Sequence, residues 1–432
     1  MTTENTGRIA EGSQSVPAPV EAPPVSQELD LDASENYFNR ELSQLQFNYR
    51  VLKQALDPAH PLINRLIFCC IFSSNMDEFF EIRVAGLRQQ MKYGRETVGP
   101  DGMLPEQVLG EISRVAHEYI TEQYDILNNV LIPEMERENI HFVRRREWTP
   151  AQAEWVRQYF EEEILPVVSP IGLDPSHPFP RLVNKSLNFI VELDGKDAFG
   201  RETGMAIVPA PRSLPRLVRL PDEVCDGGDN LVFLSSMIHA HADELFPGME
   251  VKGCYQFRVT RNADLELEDD LEDLASALRG ELLSRRFGDG VRLEVADNCP
   301  EELVQFLLTE FGLAERDLYK VHGPVNLTRL MAVGSLVDRP DLTYSGFSPA
   351  IPRQIRSKES MFDAIRKQPI LLLHPYENFS PVVDLLRQAA KDPQVLAIRQ
   401  TLYRTGADSE IVEALADAAR RGKEVTAVIE LR

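Results

Sequence analysis

The sequence predicts a multidomain α and α/β protein: an N-terminal helical bundle, a mixed α+β middle domain and an α/β unit built on a parallel sheet. Three observations carry this expectation. With 432 residues, the chain exceeds what a single hydrophobic core organises, so two to four domains are expected. Its early part repeats apolar residues at helical spacing. Its last part alternates strand-like and helix-like segments.

Residues 1–34 are rich in Pro, Glu and Ser and nearly free of aromatics. They cannot bury enough surface to offset chain entropy, so a disordered tail is expected. From residue 35 the pattern turns helical. Leu42, Leu45, Tyr49, Leu52 and Leu56 form one stripe. Asp57-Pro58 and His60-Pro61 end that helix. A second helix carries Leu62, Leu66, Cys69 and Cys70, a third runs over 77–91, and a fourth carries Val108, Ile112, Val115, Tyr119, Ile126 and Val130. Residues 35–147 therefore read as a helical domain.

Thr149-Pro150 looks like a helix N-cap followed by proline at the first helical position. Beyond it the pattern is mixed. Strands are expected at 187–193, 205–208, 255–260 and 291–295, and helices at 270–287 and 300–311, which makes 148–346 an α+β domain. Residues 347–432 contain a β-α-β-α-β run, with strands at 369–374, 395–402 and 424–431 and helices at 379–390 and 409–421. Ligands of open parallel sheets bind beyond the carboxyl ends of the strands.

Composition narrows the function classes. The net charge of −22 disfavours nucleic acid as the main partner. The acid lies upstream, however: residues 348–432 hold 13 Lys/Arg against 11 Asp/Glu, which leaves room for a local polyanion site. The five cysteines are scattered and none forms CxxC, so reduced thiols are expected. No apolar run reaches the ~20 residues of a membrane span, and the N-terminus lacks a basic start and apolar stretch, so a cytoplasmic protein is the default. There is no GxxxxGK[ST] and no GxGxxG after a strand, which disfavours a Walker-type kinase.

Candidate functional residues are few. None of the eight histidines is followed two residues later by lysine. His239 and His241, two apart on an expected helix, point away from each other and make a poor metal pair. Gly227-Gly228 sits among acids and suits a turn. His374 closes an expected parallel strand, where sites form, though a packing role is equally open. The insertion Ser73-Ser74-Asn75-Met76-Asp77-Glu78 breaks an apolar run. It reads either as a helix break capped by Asn75 or Ser74, or as a ligand-contacting amide at a helix start. Arg399 and Arg404 lie near the end of an expected strand, placed to fork onto phosphate oxygens. The alternative for Arg404 is a surface ion pair with Asp408 or Glu410.

Several long segments resemble the type 1 polyphosphate kinase family: NRELSQLQFNYRVL (39–52), SSNMDEFFEIRVAGL (73–87), IGLDPSHPFPRLVNKSLN (171–188), LYKVHGPVNLTRLM (318–331) and FDAIRKQPILLLHPYENFSPVVDLL continuing to residue 431. The resemblance spans residue 36 to the end. It implies reversible transfer of the terminal phosphate of ATP to inorganic polyphosphate, with Mg²⁺, through a phosphohistidine. It also implies a helical domain, a head domain and phospholipase D-like C-terminal domains, the first of them beginning in 347–432. The matching nucleotide contact is Asn75. The arginine of the Mg²⁺/phosphate site is Arg404, read as a phosphate clamp because a guanidinium has no lone pair for a metal. Arg399 and His374 are further phosphate-binding candidates.

On the family pattern the HxK histidine and a second arginine lie beyond Arg432, so the chain is expected to be truncated before them and to hold no catalytic residue of its own. ATP, ADP and polyphosphate are the expected partners, in a homo-oligomer; peripheral membrane association stays open. The competing readings are a non-catalytic nucleotide- or partner-binding fragment, and a phospholipase D-like hydrolase or transferase. Incubated with radiolabelled ATP and Mg²⁺, the 432-residue chain should take up no acid-labile label and form no polymer; either product would overturn the expectation.

Overall fold

The structure, a computed structural model, describes residues 30–94, 97–174, 176–196, 204–263, 288–355, 360–403 and 409–429. Most of the expected tail, the helix expected at 270–287, and Arg404 lie outside the described residues. Residues 30–34, expected in the tail, are folded instead. Asn36 Nδ2 donates to Asp30 O at 2.7 Å and Tyr37 Oη to Leu31 O at 2.6 Å, closing a turn over the segment.

The N-terminal part is organised around one long helical rod. Helix α1 (Arg40–Lys53) starts at Asn39, whose side-chain oxygen accepts the Leu42 N–H at 3.0 Å. Helix α2 (Leu62–Glu78) follows Pro61 and is apolar nearly all round, so it lies in the interior. It does not break at the Ser73–Glu78 insertion. It passes through a π-helical turn, Phe79–Val84, straight into α3 (Ala85–Lys92). The Phe79 N–H bonds to Asn75 O, as inside a continuing helix, so neither Ser74 nor Asn75 is a cap. Small polar groups are tolerated because buried Ser73 accepts from Gln123 Nε2 at 3.1 Å, while Ser74 is exposed and Asn75 half-buried. Helix α4 (Pro105–Ile126) packs on α1, with Tyr49 stacked on Tyr119 at 4.2 Å and donating to Glu122 at 2.8 Å.

The middle part contains strands β1 (Ile140–Phe142), β2 (Ile171–Gly172), β3 (Asn188–Gly195), β4 (Met205–Pro209), β5 (Leu217–Arg219), β6 (Asp229–Phe233), β7 (Met249–Arg261), β8 (Gly290–Ala296) and β9 (Leu318–Val321). The main sheet has the order β2-β4-β3-β7-β8-β9, antiparallel except for the β8–β9 pair. A smaller sheet, β1-β6-β5, pairs β1 in parallel with β6 and so stitches residues 140–142 to the middle domain. Thr149 caps the next helix, Pro150–Tyr159, with a reciprocal bond to Gln152.

The two faces of the main sheet differ in chemistry. Phe257, Val259, Leu293 and Val295 point to one face and pack under the helix Glu301–Phe311. The alternating residues Arg258, Thr260, Arg292 and Glu294 point to the other. That face is not solvated: all four are buried against the α2 rod. Further bonds cross the same seam. Cys70 Sγ lies 3.3 Å from Leu327 O, Tyr124 Oη donates to Pro324 O at 2.9 Å, and Asn128 Nδ2 to His322 O at 2.7 Å. The thiols of Cys69, Cys254 and Cys299 are pushed up to about 12 by burial, which keeps them protonated and inert.

In the last part, β10 (Ala397–Leu402) and β11 (Glu424–Ile429) pair in parallel. The helices Ser380–Lys391 and Glu410–Arg420 pack over them through Leu386, Ala390, Ile398, Leu415 and Ala418. The strand expected at 369–374 joins no ladder among the described residues. Its last peptide groups are taken by a turn instead: Leu373 N bonds to Glu377 Oε2 at 2.8 Å, and Glu377 N to Leu373 O at 2.9 Å. No helix among the described residues is long and apolar enough to cross a membrane.

Candidate functional site

The seam between the α2 rod and the main sheet contains a buried ionic quartet. Asp77 accepts both terminal nitrogens of Arg258 at 2.9 Å, one on each carboxylate oxygen, and also pairs with Arg292. Glu294 Oε2 lies 3.0 Å from Arg292 Nη2 and in ion-pair contact with Arg258 Nε. Arg258 and Arg292 are 1 % exposed, Glu294 4 % and Asp77 6 %. The Arg292 guanidinium lies 4.6 Å from the centre of the Phe80 ring, so the π-helical turn caps the quartet from above. Burial alone would raise the Asp77 carboxyl, but the Arg258 and Arg292 guanidiniums outweigh it and hold it below the usual carboxylate range. Burial would likewise lower Arg258, and the Asp77 and Glu294 carboxylates raise it instead.

One turn further on, Glu81 reaches the head domain from the π segment. It accepts Asn184 Nδ2 at 2.6 Å and Lys185 Nζ at 2.7 Å. Such turns recur at functional sites because the wider spiral re-aims side chains. Here it buries Phe79, Phe80, Glu81 and Val84 together.

Above the quartet, two cavities adjoin along the rod. They share Ser74, Asn184, Lys185 and Arg212. The outer one, of about 500 Å³, also meets Glu78, Glu81 and Ile82. The inner one, of about 250 Å³, adds Arg216, Asn326, Thr328 and Arg329. Arg212 and Arg216 come from the loop between β4 and β5. Arg329 comes from the 3-10 turn Leu327–Ala332. Lys185 (φ 57°) and Asn326 (φ 69°) are two of three non-glycine residues in the left-handed region among the described residues, and Asn326 Nδ2 reaches Lys185 O at 3.4 Å. Strained backbone concentrated at one groove is a mark of a working surface.

The inner cavity is cationic and under-satisfied. Among the described residues, none of Arg212, Arg216 and Arg329 has an acidic partner. Asp77 is the one carboxylate in its wall, and Arg258 and Arg292 already occupy it. Arg216 donates only Nη2, to Ala210 O at 3.3 Å; its buried Nη1 and the buried Thr328 Oγ1 have no partner. Burial, reinforced by the Arg329 and Arg212 guanidiniums, pushes Arg216 down to about 10, still cationic at neutral pH.

The residues singled out in the sequence do not converge among the described residues. Asn75 lies on the α2 turn whose Ser74 and Glu78 line the groove, and its side chain makes no hydrogen bond there. Arg399 is an exposed residue of β10, 3.7 Å from Glu424 on the neighbouring strand. His374 is exposed, with Nδ1 2.9 Å from Glu377 O and its ring edge against Phe379. Arg404 falls outside the described residues. His241 bonds to Glu244 at 2.7 Å and stacks on Phe160, and no group of three or more His, Cys, Asp or Glu side chains gathers for a metal among the described residues. Sequence reasoning missed Lys185, Arg212, Arg216 and Arg329. A signal existed: residues 204–221 carry Arg212, Arg216 and Arg219 with no acid, in a chain of net charge −22.

Comparison with known proteins gives a consistent result. Residues 37–143 match the family described as polyphosphate kinase N-terminal domain, 151–333 the polyphosphate kinase middle domain, and 360–432 the polyphosphate kinase C-terminal domain 1. The chain is 64% identical over 404 residues to a polyphosphate kinase of Pseudomonas syringae pv. tomato, a match covering 93% of this chain and 55% of the relative. It is 56% identical over 393 residues to one of Neisseria meningitidis, covering 91% and 57%. The crystal structure of polyphosphate kinase from Porphyromonas gingivalis superposes with a TM-score of 0.74 at 28% identity, covering 91% of this chain and 56% of that one. The chain thus spans little more than half the length of these relatives.

The quartet yields a pH-dependent expectation. Asp77→Asn should lower the unfolding free energy at pH 7 by about 3–5 kcal/mol, because two buried guanidiniums would then face one carboxylate. The depressed Asp77 stabilises fully above the unfolded carboxylate value of about 4 and loses that effect as pH falls through its lower folded value. Chemical denaturation should therefore show a wild-type advantage at pH 7 that shrinks below about pH 4. A gap independent of pH would exclude Asp77 as an ionised member of the cluster.

Proposed function

Because the chain belongs to the polyphosphate kinase family, we propose that it is the nucleotide-binding front of an enzyme that reversibly moves the terminal phosphate of ATP onto inorganic polyphosphate through a phosphohistidine. The observation that carries this reading is the groove along the α2 turn that holds Asn75: Ser74 of that turn lines it, opposite Arg212, Arg216 and Arg329, which have no carboxylate partner among the described residues. Phosphoryl transfer depends mostly on alignment and charge stabilisation, and unpaired cations held by a rigid seam supply both.

In this reading Asn75 contacts the nucleotide and Arg404 forks onto its phosphate oxygens. Arg399 and His374 lie on other surfaces of the last domain and keep only a secondary role there. The relay histidine would come from the part of the relatives that this chain does not match, since no histidine here has lysine two residues on. Mg²⁺ belongs to the reading as a companion of the nucleotide. The described residues of the groove do not fit a protein-held ion: Asp77 and Glu81 are both taken by cations, which leaves Glu78 as a single exposed carboxylate, and Mg²⁺ in kinases rests largely on substrate phosphates and water. The divisions near 35, 148 and 347 remain the proposed domain plan. A cytoplasmic homo-oligomer completes the proposal.

Two substitutions in an enzyme of the relatives' full length test it. Asn75→Ala should raise the KM for ATP by about tenfold, the cost of one good hydrogen bond. Its melting temperature should hold, because Asn75 is mid-helix and alanine is the better helix former. An unchanged KM would remove Asn75 from the nucleotide site. Arg404→Ala should cut turnover by roughly 10²–10³ while the fold stays intact, with lysine rescuing poorly because it lacks the planar fork. Near-normal turnover would refute the clamp.

A further inference from the structure

Separate hydrophobic cores stand on either side of residues 345–346. Those before it run from Leu45 to Val337, with Leu342 packed on the edge. The one after it begins at Phe362 and gathers Leu386, Ala390, Ile398, Leu402 and Leu415. Among the described residues, no hydrogen bond, ion pair or ring contact joins a residue before 345 to one after 346. Units joined by so few contacts move against each other.

The passage between them is short, and it is fixed at both ends. On the near side, Arg339 donates to Glu138 O at 2.6 Å and pairs with the Glu138 and Asp341 carboxylates at 2.7 Å. Tyr344 N donates to Asn64 Oδ1 at 2.8 Å, and its hydroxyl bonds to His60 Nδ1. Asn64 sits in the first turn of α2, the helix that also carries Asn75 and Asp77. On the far side, Phe347 packs edge-on against Tyr376, with ring centres 6.0 Å apart. Ala350 N donates to Tyr376 O at 3.0 Å, and Ala350 O accepts Asn378 N at 2.9 Å. Only Ser345 and Gly346 lie between the two anchorages.

Gly346 is exposed. A Cβ there would meet nothing within 4 Å, and its φ lies outside the left-handed region. Neither a turn nor a close approach calls for glycine at this position. What glycine adds is access to backbone states that other residues lack. Hinges between rigid bodies are short segments that absorb such φ/ψ changes.

We propose that Ser345-Gly346 is a hinge, with the strap ending at Tyr344 as its fixed post, about which residues 347–429 turn as one body against the front of the chain. The use of the movement rests on the proposed function; the hinge itself does not. In that reading Asn75 precedes the hinge and Arg404 follows it, so one nucleotide meets both only when the two bodies close on it.

The test is a spin-label distance measurement on this chain, with Cys225, the one cysteine that is not buried, changed to serine. Labels at exposed Glu136→Cys and Asp384→Cys span the hinge. The pairs Glu136→Cys with Glu302→Cys, and Asp384→Cys with Glu413→Cys, each stay within one body. The spanning pair should give a broad distance distribution and the internal pairs narrow ones. Gly346→Pro fixes φ and should narrow the spanning distribution at least about twofold, with the internal pairs unchanged. Its melting temperature should match the parent's, because Gly346 belongs to neither core. Tyr344→Ala frees the post and should widen the spanning distribution.

A spanning distribution as narrow as the internal ones would overturn the proposal. So would one that Gly346→Pro leaves equally broad, or a Tyr344→Ala chain no broader than the parent. No nucleotide and no turnover enter the measurement. A hinge that moves, in a full-length enzyme that transfers no phosphate, would sink the proposed function and leave the hinge standing. A rigid junction in an active enzyme would do the reverse.

Discussion

Two arginines and two carboxylates buried between a helix and a sheet constrain nearly everything else in this chain. Asp77 on α2 receives Arg258 from β7 in a two-pronged pair and Arg292 from β8 beside it, and Glu294 closes the set. The net charge of the four is zero, which is what permits burial. Taking such groups out of water costs several kcal/mol per ion, so the cluster adds little stability over an apolar seam of the same shape. Its effect is on geometry. A two-pronged guanidinium–carboxylate pair fixes distance and rotation together. It sets the roll of α2 against the sheet, and with it which residues of the rod face the groove: Ser74 and Glu78 toward the cavities, Glu81 onto Lys185.

The contrast between the two layers of cations is the main physical feature of the site. Below, Arg258 and Arg292 are paired with the Asp77 and Glu294 carboxylates and hold structure. Above, Arg212, Arg216 and Arg329 are unanswered among the described residues. Arg212 and Arg329 are exposed and solvated, so the cost of an unpaired charge falls on half-buried Arg216. Natural sequences break local rules at sites where a ligand supplies the missing partner. The left-handed Lys185 and Asn326 at the same groove belong to the same pattern.

Much of the fold was legible because its patterns are periodic. The stripe through Leu45 and Leu52, the Thr149-Pro150 cap and the alternation around 395–429 each depend on local chemistry, and each appears as expected. What was not legible depends on partners distant in sequence. Strands were expected at 255–260 and 291–295, but the burial of Arg258, Thr260, Arg292 and Glu294 on their second face was not: only Asp77, 181 and 215 residues away from the two arginines, explains it. The insertion Ser73–Glu78 suggested a helix break capped by Asn75 or Ser74 because nothing local announces that Gln123 satisfies Ser73 from another helix. The stretch 369–374 has the composition of a strand, yet Glu377 engages its end in a turn. The cations of the groove come from three separate segments, so no motif could collect them.

If the quartet makes the α2 rod and the head-domain sheet one mechanical unit, the two must open together. Native-state hydrogen exchange measures this directly, because it gives the opening free energy of each amide. The account predicts that buried amides in Ser73–Val84, in β7 and in β8 share one opening free energy, and that Glu294→Gln, which alters no residue of the groove wall, lowers it in all three segments by the same amount. Segments of the rod that keep their protection while the sheet loses its own would contradict it, and would show that the two halves of the site are held independently.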